Sequence, residues 1–216
     1  SDIDTGDVLV LTTFSDTSAV TVIPNSDNFT ITTLPDTNWH GSSEITVIVS
    51  DEYYSDSTSF ILTVDPVNDA PVISPIPDTF TEENNALYLN LELTDVDTGE
   101  TFIIFASSDD PSLTVTADPE DSSITAIPDA DWHGSSEITV IVSDGELSDT
   151  QIFTLTVGPI NDAPTIADIE DITIHEDENL ILQVQATDID TGQVLILSAF
   201  SDTSAVTVIP NSDNFT

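Results

Sequence analysis

The sequence predicts an all-β fold, a tandem array of seven-stranded β-sandwiches, and three observations carry that reading. Short runs of β-branched and other apolar residues alternate with polar ones, and Pro, Gly, Asn, Asp and Ser separate the runs. No window shows helical periodicity. The whole pattern then repeats: Trp39–Asp51 reads WHGSSEITVIVSD, and the same thirteen residues return at Trp132–Asp144, an offset of 93.

The middle copy spans 67–159, and its strands are expected near 72–75, 86–93, 101–107, 112–117, 123–127, 135–143 and 150–157. The second run alternates Leu87, Leu89, Leu91 and Leu93. The sixth alternates Ile138, Val140 and Val142, and the last Phe153, Leu155 and Val157, so these ten side chains are the predicted core between two sheets. The remaining runs are marked by β-branched content and by the turn residues that bound them. Seven strands in 93 residues fit an immunoglobulin-like sandwich.

Other landmarks keep the same offset. Asn68-Asp69-Ala70-Pro71 recurs as Asn161-Asp162-Ala163-Pro164, and Asp2-x-Asp4-Thr5-Gly6 recurs at Asp95-x-Asp97-Thr98-Gly99 and at Asp188-x-Asp190-Thr191-Gly192. The expected domains are therefore 1–66, lacking its first strands, a complete 67–159, and 160–216, lacking its last strands. Ser15–Thr30 is identical to Ser201–Thr216 while the middle copy differs there, which points to an A-B-A alternation created by duplication of a two-domain unit. On this reading the chain is a window on a longer polymer.

Composition restricts the partners. The chain has 41 Asp plus Glu, no Lys or Arg, and a formal charge of −41. Such charge with few apolar residues would mean disorder, but 38% of the residues are hydrophobic and most of those are strand formers. Self-repulsion must be relieved by bound divalent cations or by salt strong enough to shorten the Debye length to about 3–5 Å. Nucleic acid and anionic membrane surfaces require a cationic face that this chain lacks. There is no cysteine and no apolar run near the length of a membrane span, so no membrane insertion is expected in this segment.

Calcium takes six to eight oxygen ligands, so a site needs acidic residues converging from several loops. The repeated acidic motifs lie at strand ends: Glu83 before the Leu87 strand, Asp95 and Asp97 after it, Asp129 and Asp131 before the Ile138 strand, Asp144 after it. Asp and Asn also punctuate turns, and that reading applies to each of them singly. An EF-hand is excluded, because Gly99 and Ala106 stand where that loop needs ligands.

In order and over the whole chain these motifs resemble cadherins: Val142-Ser143-Asp144-Gly145 closing a strand, Asn161-Asp162-Ala163-Pro164 as linker, Thr187-Asp188-Ile189-Asp190 after the second strand. The Asn-Asp-Ala-Pro linker is similar to that of bacterial cadherin-like repeats in giant surface adhesins. The resemblance implies Greek-key sandwiches with Ca²⁺ at the junctions and a spacer or stalk role outside the cell. Carried over by position, the junction after the middle domain would use Glu83, Asp129, Asp131, Asn161, Asp162, Asp188 and Asp190. The junction before it would use Asp36, Asn38, Asn68, Asp69, Asp95, Asp97 and Asp144, with Asn68, Asp95, Asp97 and Asp144 the best preserved subset. Pro66 and Pro159 replace the first acidic residue of the usual linker, and Asn38 stands where the next copy has Asp131, which implies fewer ions than in cadherins.

The function expected is a Ca²⁺-stiffened spacer or fibre segment of an extracellular or surface protein, its partners being Ca²⁺, neighbouring repeats and like chains in a fibre. The alternative is an adhesive module that binds a glycan or another copy directly, with Tyr53-Tyr54 as its contact patch. No catalytic site is expected: His40 and His133, in the repeated Trp-His-Gly turn, have neither a second His nor a nucleophile arranged beside them. Asn28-Phe29-Thr30 and Asn214-Phe215-Thr216 match the N-glycosylation sequon.

Overall fold

The computed structural model describes residues 8–51, 53–99 and 101–210, so the Asp2-x-Asp4 motif and the Asn214 sequon lie outside the described residues. Those residues contain strands and turns but no helix, and so none long and apolar enough to cross a membrane. The chain divides by contact into two compact units. One holds the residues up to Val72 with Leu93–Ile103 and Val142–Asp149; the other holds Ile73–Glu92, Ile104–Ile141 and the residues from Thr150 on.

Five strands form the first repeat: β1 (Val10–Ser15), β2 (Val20–Asn25), β3 (Thr30–Pro35), β4 (Gly41–Ser50) and β5 (Ser55–Val64). β4 lies between β1 and β5, both antiparallel to it, and β2 pairs with β3 in a hairpin. The middle repeat contains β6 (Val72–Ile73), β7 (Thr79–Glu82), β8 (Leu87–Asn90), β9 (Leu93–Thr94), β10 (Ile103–Ser108), β11 (Leu113–Asp118), β12 (Ser123–Pro128), β13 (Gly134–Ser143) and β14 (Ser148–Gly158). Two further short strands, β15 (Thr165–Ile166) and β16 (Ala186–Thr187), pair antiparallel. β10 to β13 therefore match β1 to β4 at the 93-residue offset, and β14 matches β5 with one residue more at its end.

The sandwich of the middle repeat consists of β10-β13-β14-β7 and β11-β12-β8. The chain changes sheet between β7 and β8, between β8 and β10, between β10 and β11, and between β12 and β13, which is the Greek-key pattern of the immunoglobulin-like class. Side chains at alternate positions fill the space between the sheets: Ile104, Ile138, Val140, Val142, Phe153, Leu155 and Val157 from one, Leu113, Ile124 and Ala126 from the other, all buried.

Two details depart from the sequence expectation. The run 86–93 divides into β8 and β9; Leu87 and Leu89 are only half-buried because β8 is a four-residue strand at a sheet edge, and Leu93 is half-buried in the two-residue β9, which pairs with β6. β7 was not expected, since Pro75 and Pro77 make its surroundings read as loop. It nevertheless pairs in parallel with β14, Leu155 opposite Thr79 and Val157 opposite Thr81.

Burial depends on what covers a stripe. Phe60, Leu62 and Val64 repeat Phe153, Leu155 and Val157 in kind, yet Phe60 is 42% exposed where Phe153 is 3%. Among the described residues the first repeat has no counterpart of β7 or β8 to cover that face. The turn before β13 is held by half-buried Trp132, whose ring would stand 3.1 Å from a Cβ on Gly134. A side chain there would need the indole to give way by a few tenths of an ångström.

Candidate cation sites

The first site is formed within one unit. β9 runs into Asp95-Val96-Asp97-Thr98-Gly99, where Asp95 Oδ1 accepts the Asp97 N–H at 2.9 Å and Gly99, at φ +91°, turns the chain. Asp97 Oδ2 accepts the backbone N–H of Asp69 at 2.8 Å. Asn68 Nδ2 donates to Asp144 Oδ2 at 2.9 Å, while Asp144 Oδ1 takes the N–H groups of Glu146 and Leu147 at 2.7 and 2.8 Å. The Leu147 and Glu146 amides, then Asn68, hold the Asp144 carboxyl below its ordinary value. Asn68, Asp97 and Asp144 line an open cleft with His40, Pro66 and Thr98. Of the Asp95 carboxylate, Oδ2 is buried and has no hydrogen-bond partner.

The second site repeats that loop within the other unit. Asp188 Oδ1 accepts the Asp190 N–H at 3.0 Å, Asp190 Oδ2 accepts the Asp162 N–H at 2.7 Å, and Gly192 has φ +86°. It adds Glu83, 1% exposed, which follows β7. Glu83 N–H bonds Gly158 O at 2.8 Å, and its Oε1 accepts the Ile160 N–H. Carboxylate oxygens of Glu83, Asp162 and Asp190 lie within 4.8 Å of one another. Burial, then the negative charges of Asp131, Asp190, Glu83 and Asp188, push the Asp162 carboxyl above its ordinary value. Asp162 Oδ2 is also buried without a partner.

The structure thus brings together Asn68 with Asp144, Asp69 with Asp95 and Asp97, and Glu83 with Asp162 and Asp190, with Asp188 and Asp131 close to Asp162. Asn161 donates to Asp162 O at 2.8 Å and accepts from Gln193 Nε2. Asp131, at φ +59°, exchanges two 3.1 Å hydrogen bonds with Asn84. The contacts of Asp36 and Asp129 are those of turns: their N–H groups bond Ala19 O and Ser112 O, and their carbonyls accept from Trp39 and Trp132. Asn38, at φ +59°, shapes the turn before β4.

A buried carboxylate oxygen needs a donor or a cation. This chain has no Lys or Arg to supply one. Oxygen-only donor sets of this kind suit a hard divalent cation, whereas softer metals prefer thiolate and imidazole. Among the described residues, Glu83, Asp162 and Asp190 bring oxygens from three carboxylates close enough to share such an ion, with Asp131, Asn161 and Asp188 beside them; Asn68, Asp69, Asp95, Asp97 and Asp144 of the first group offer the same donor chemistry.

Sequence reasoning passed over three features. His133 Nδ1 stands 3.6 Å from Glu83 Oε2, and Asn84 braces Asp131. A lock between a buried Ser and an exposed Asp also recurs: Ser136 donates to Asp109 Oδ1 at 2.6 Å with Ser108 beside it, as Ser43 donates to Asp16 at 2.8 Å with Ser15 beside it. The identical Ser-Ser-Glu in both copies was the available signal. Ser136, then the Glu137 N–H, hold the Asp109 carboxyl below its ordinary 3.8. A depressed carboxylate stabilises the fold above its ordinary pKa, and that contribution disappears as pH falls through the lower folded value. Ser136→Ala should therefore raise the Asp109 pKa in a carbon-13 NMR titration and move acid unfolding to higher pH. An unchanged titration would show that the lock does not hold this charge.

Residues 68–156 match the family described as Bacterial Ig domain, in agreement with the sandwich built from β7 to β14. No curated protein matches the sequence. Similar solved structures include the protocadherin GammaB4 extracellular domain, at 22% identity over 86% of this chain and 35% of that one with a TM-score of 0.47. Human protocadherin-24 is similar at 14% identity over 72% and 84%, TM-score 0.48. An endo-fucoidan hydrolase of glycoside hydrolase family 107 is similar at 25% identity over 70% and 24%, TM-score 0.32, so this chain spans about a quarter of that enzyme.

Proposed function

We propose that the chain is a Ca²⁺-stiffened spacer of an extracellular or surface protein, built from cadherin-like modules at 1–66, 67–159 and 160–216. The observation that carries this reading is the pair of buried, unpartnered carboxylate oxygens, Asp95 Oδ2 in the Asp-x-Asp loop of the first site and Asp162 Oδ2 in the linker of the second. Asp95, Asp97 and Asp144 hold an ion against the linker residues Asn68 and Asp69. Asp188, Asp190 and Glu83 do the same against Asn161 and Asp162. Bound calcium cancels repulsion that would otherwise loosen each linker, and the ordered linker keeps successive modules extended. Neighbouring repeats and like chains are the macromolecular partners on this reading, and the task is mechanical.

A second reading, adhesion to a glycan or a like copy, draws on Tyr53 and Tyr54, 78% and 82% exposed after β4.

Small-angle scattering of the full chain tests the spacer. The maximum dimension should fall and its distribution broaden when calcium is chelated, and Asp97→Ala should lose part of the calcium response while keeping its β-sheet circular dichroism. A profile indifferent to chelation would leave the acidic loops as ordinary turns.

A further inference from the structure

We propose that Asn28 is an acceptor for an N-linked saccharide, a covalent modification site separate from the cation sites. The turn between β2 and β3 carries Asn28-Phe29-Thr30, and all three residues are exposed. Phe29 has φ +54°, and the Thr30 Oγ1 hydroxyl donates to Asn28 Oδ1 at 2.8 Å. The same turn recurs in the middle repeat, where Ser122 has φ +49°. There the flanking residues are Asp121 and Ser123, so the turn persists without the amide.

The hydrogen bond bears on the chemistry. A carboxamide nitrogen is a poor nucleophile because its electron pair is delocalised into the carbonyl. A hydroxyl donating to Oδ1 stabilises negative charge on that oxygen and so favours the imidate form, in which the nitrogen pair is available. The co-reactant is a saccharide joined through its anomeric carbon to a diphosphate, delivered by a separate transferase. Asn28 Nδ2 forms a bond to the anomeric carbon as the bond from that carbon to the diphosphate oxygen breaks. The diphosphate leaves with the electron pair, and one Nδ2 proton passes to a base. Because Asn28, Phe29 and Thr30 are exposed in the folded chain, the acceptor proposed is the folded chain.

The test presents the folded full chain to a purified oligosaccharyltransferase with a polyprenyl-diphosphate-linked saccharide, alongside an acceptor peptide of known competence. Asn214→Gln is the background, so that a single sequon remains. The expected result is one saccharide mass added to the chain and mapped to Asn28. It should be lost in Asn28→Gln, lost in Thr30→Ala and kept in Thr30→Ser. An unmodified chain beside a modified peptide overturns the proposal. So does a mass increment that survives Asn28→Gln, or one that Thr30→Ala leaves undiminished.

Discussion

Calcium at a hundredfold excess over its dissociation constant should stabilise the chain by about 2.7 kcal/mol per occupied site, because the ion binds the assembled carboxylates and not the unfolded chain. For a chain of this size that corresponds to a rise in melting temperature of about 5–10 °C per site. The comparison has to be made at matched ionic strength, since NaCl also screens a net charge of −41. A rise specific to calcium, and reversed by chelator, is the expected result. An equal rise in NaCl alone would mean that general screening, of the kind salt-adapted acidic proteins need, stabilises this chain and that the acidic loops hold no particular ion.

The second large effect lies in the core. Leu155 is fully buried on β14, between β13 and β7. Leu155→Ala should cost about 2–5 kcal/mol, the loss of transfer free energy plus the cavity left in a packed sandwich. Leu62 occupies the equivalent place in the first repeat but is only half-buried. Leu62→Ala should cost less, about 1–2 kcal/mol, in proportion to the apolar area it removes from contact. Chemical denaturation of the two variants measures the difference. Equal losses would contradict the unequal covering of the two stripes.

That contrast shows how far the sequence could be read. Strand identity was legible wherever alternation was strong, as in β13 and β14, because a period of two fixes which side chains face inward. β7 was not, because its stability comes from parallel pairing with β14, more than seventy residues away in the chain, and its own Pro-flanked residues carry no strand signal. Identical sequences such as ITVIV in β4 and β13 differ in burial, since burial belongs to the neighbours and not to the strand.

The acidic sites divide along the same line. Asp95 with Asp97, and Asp188 with Asp190, were visible as a repeated Asp-x-Asp, and the linker Asp came from the resemblance of the Asn-Asp-Ala-Pro segment to cadherin linkers. The junction sets carried over by position also included Asp36 and Asp129, whose backbone contacts are those of turns, and Asn38, at φ +59°; no pattern distinguished them from neighbouring turn residues. The unpartnered oxygens could not be read from sequence at all, because they depend on which N–H groups the folded loops direct to each carboxylate.

Isothermal calorimetry of the full chain with calcium, at ionic strength held constant with NaCl, tests the cation sites most directly. Saturable binding is expected in the unaltered chain. Asp95→Asn should remove the binding due to the first site and Asp162→Asn that due to the second, with little left when both are combined. Absence of saturable heat in the unaltered chain, or a double variant that titrates as the unaltered chain does, would contradict calcium binding at these residues.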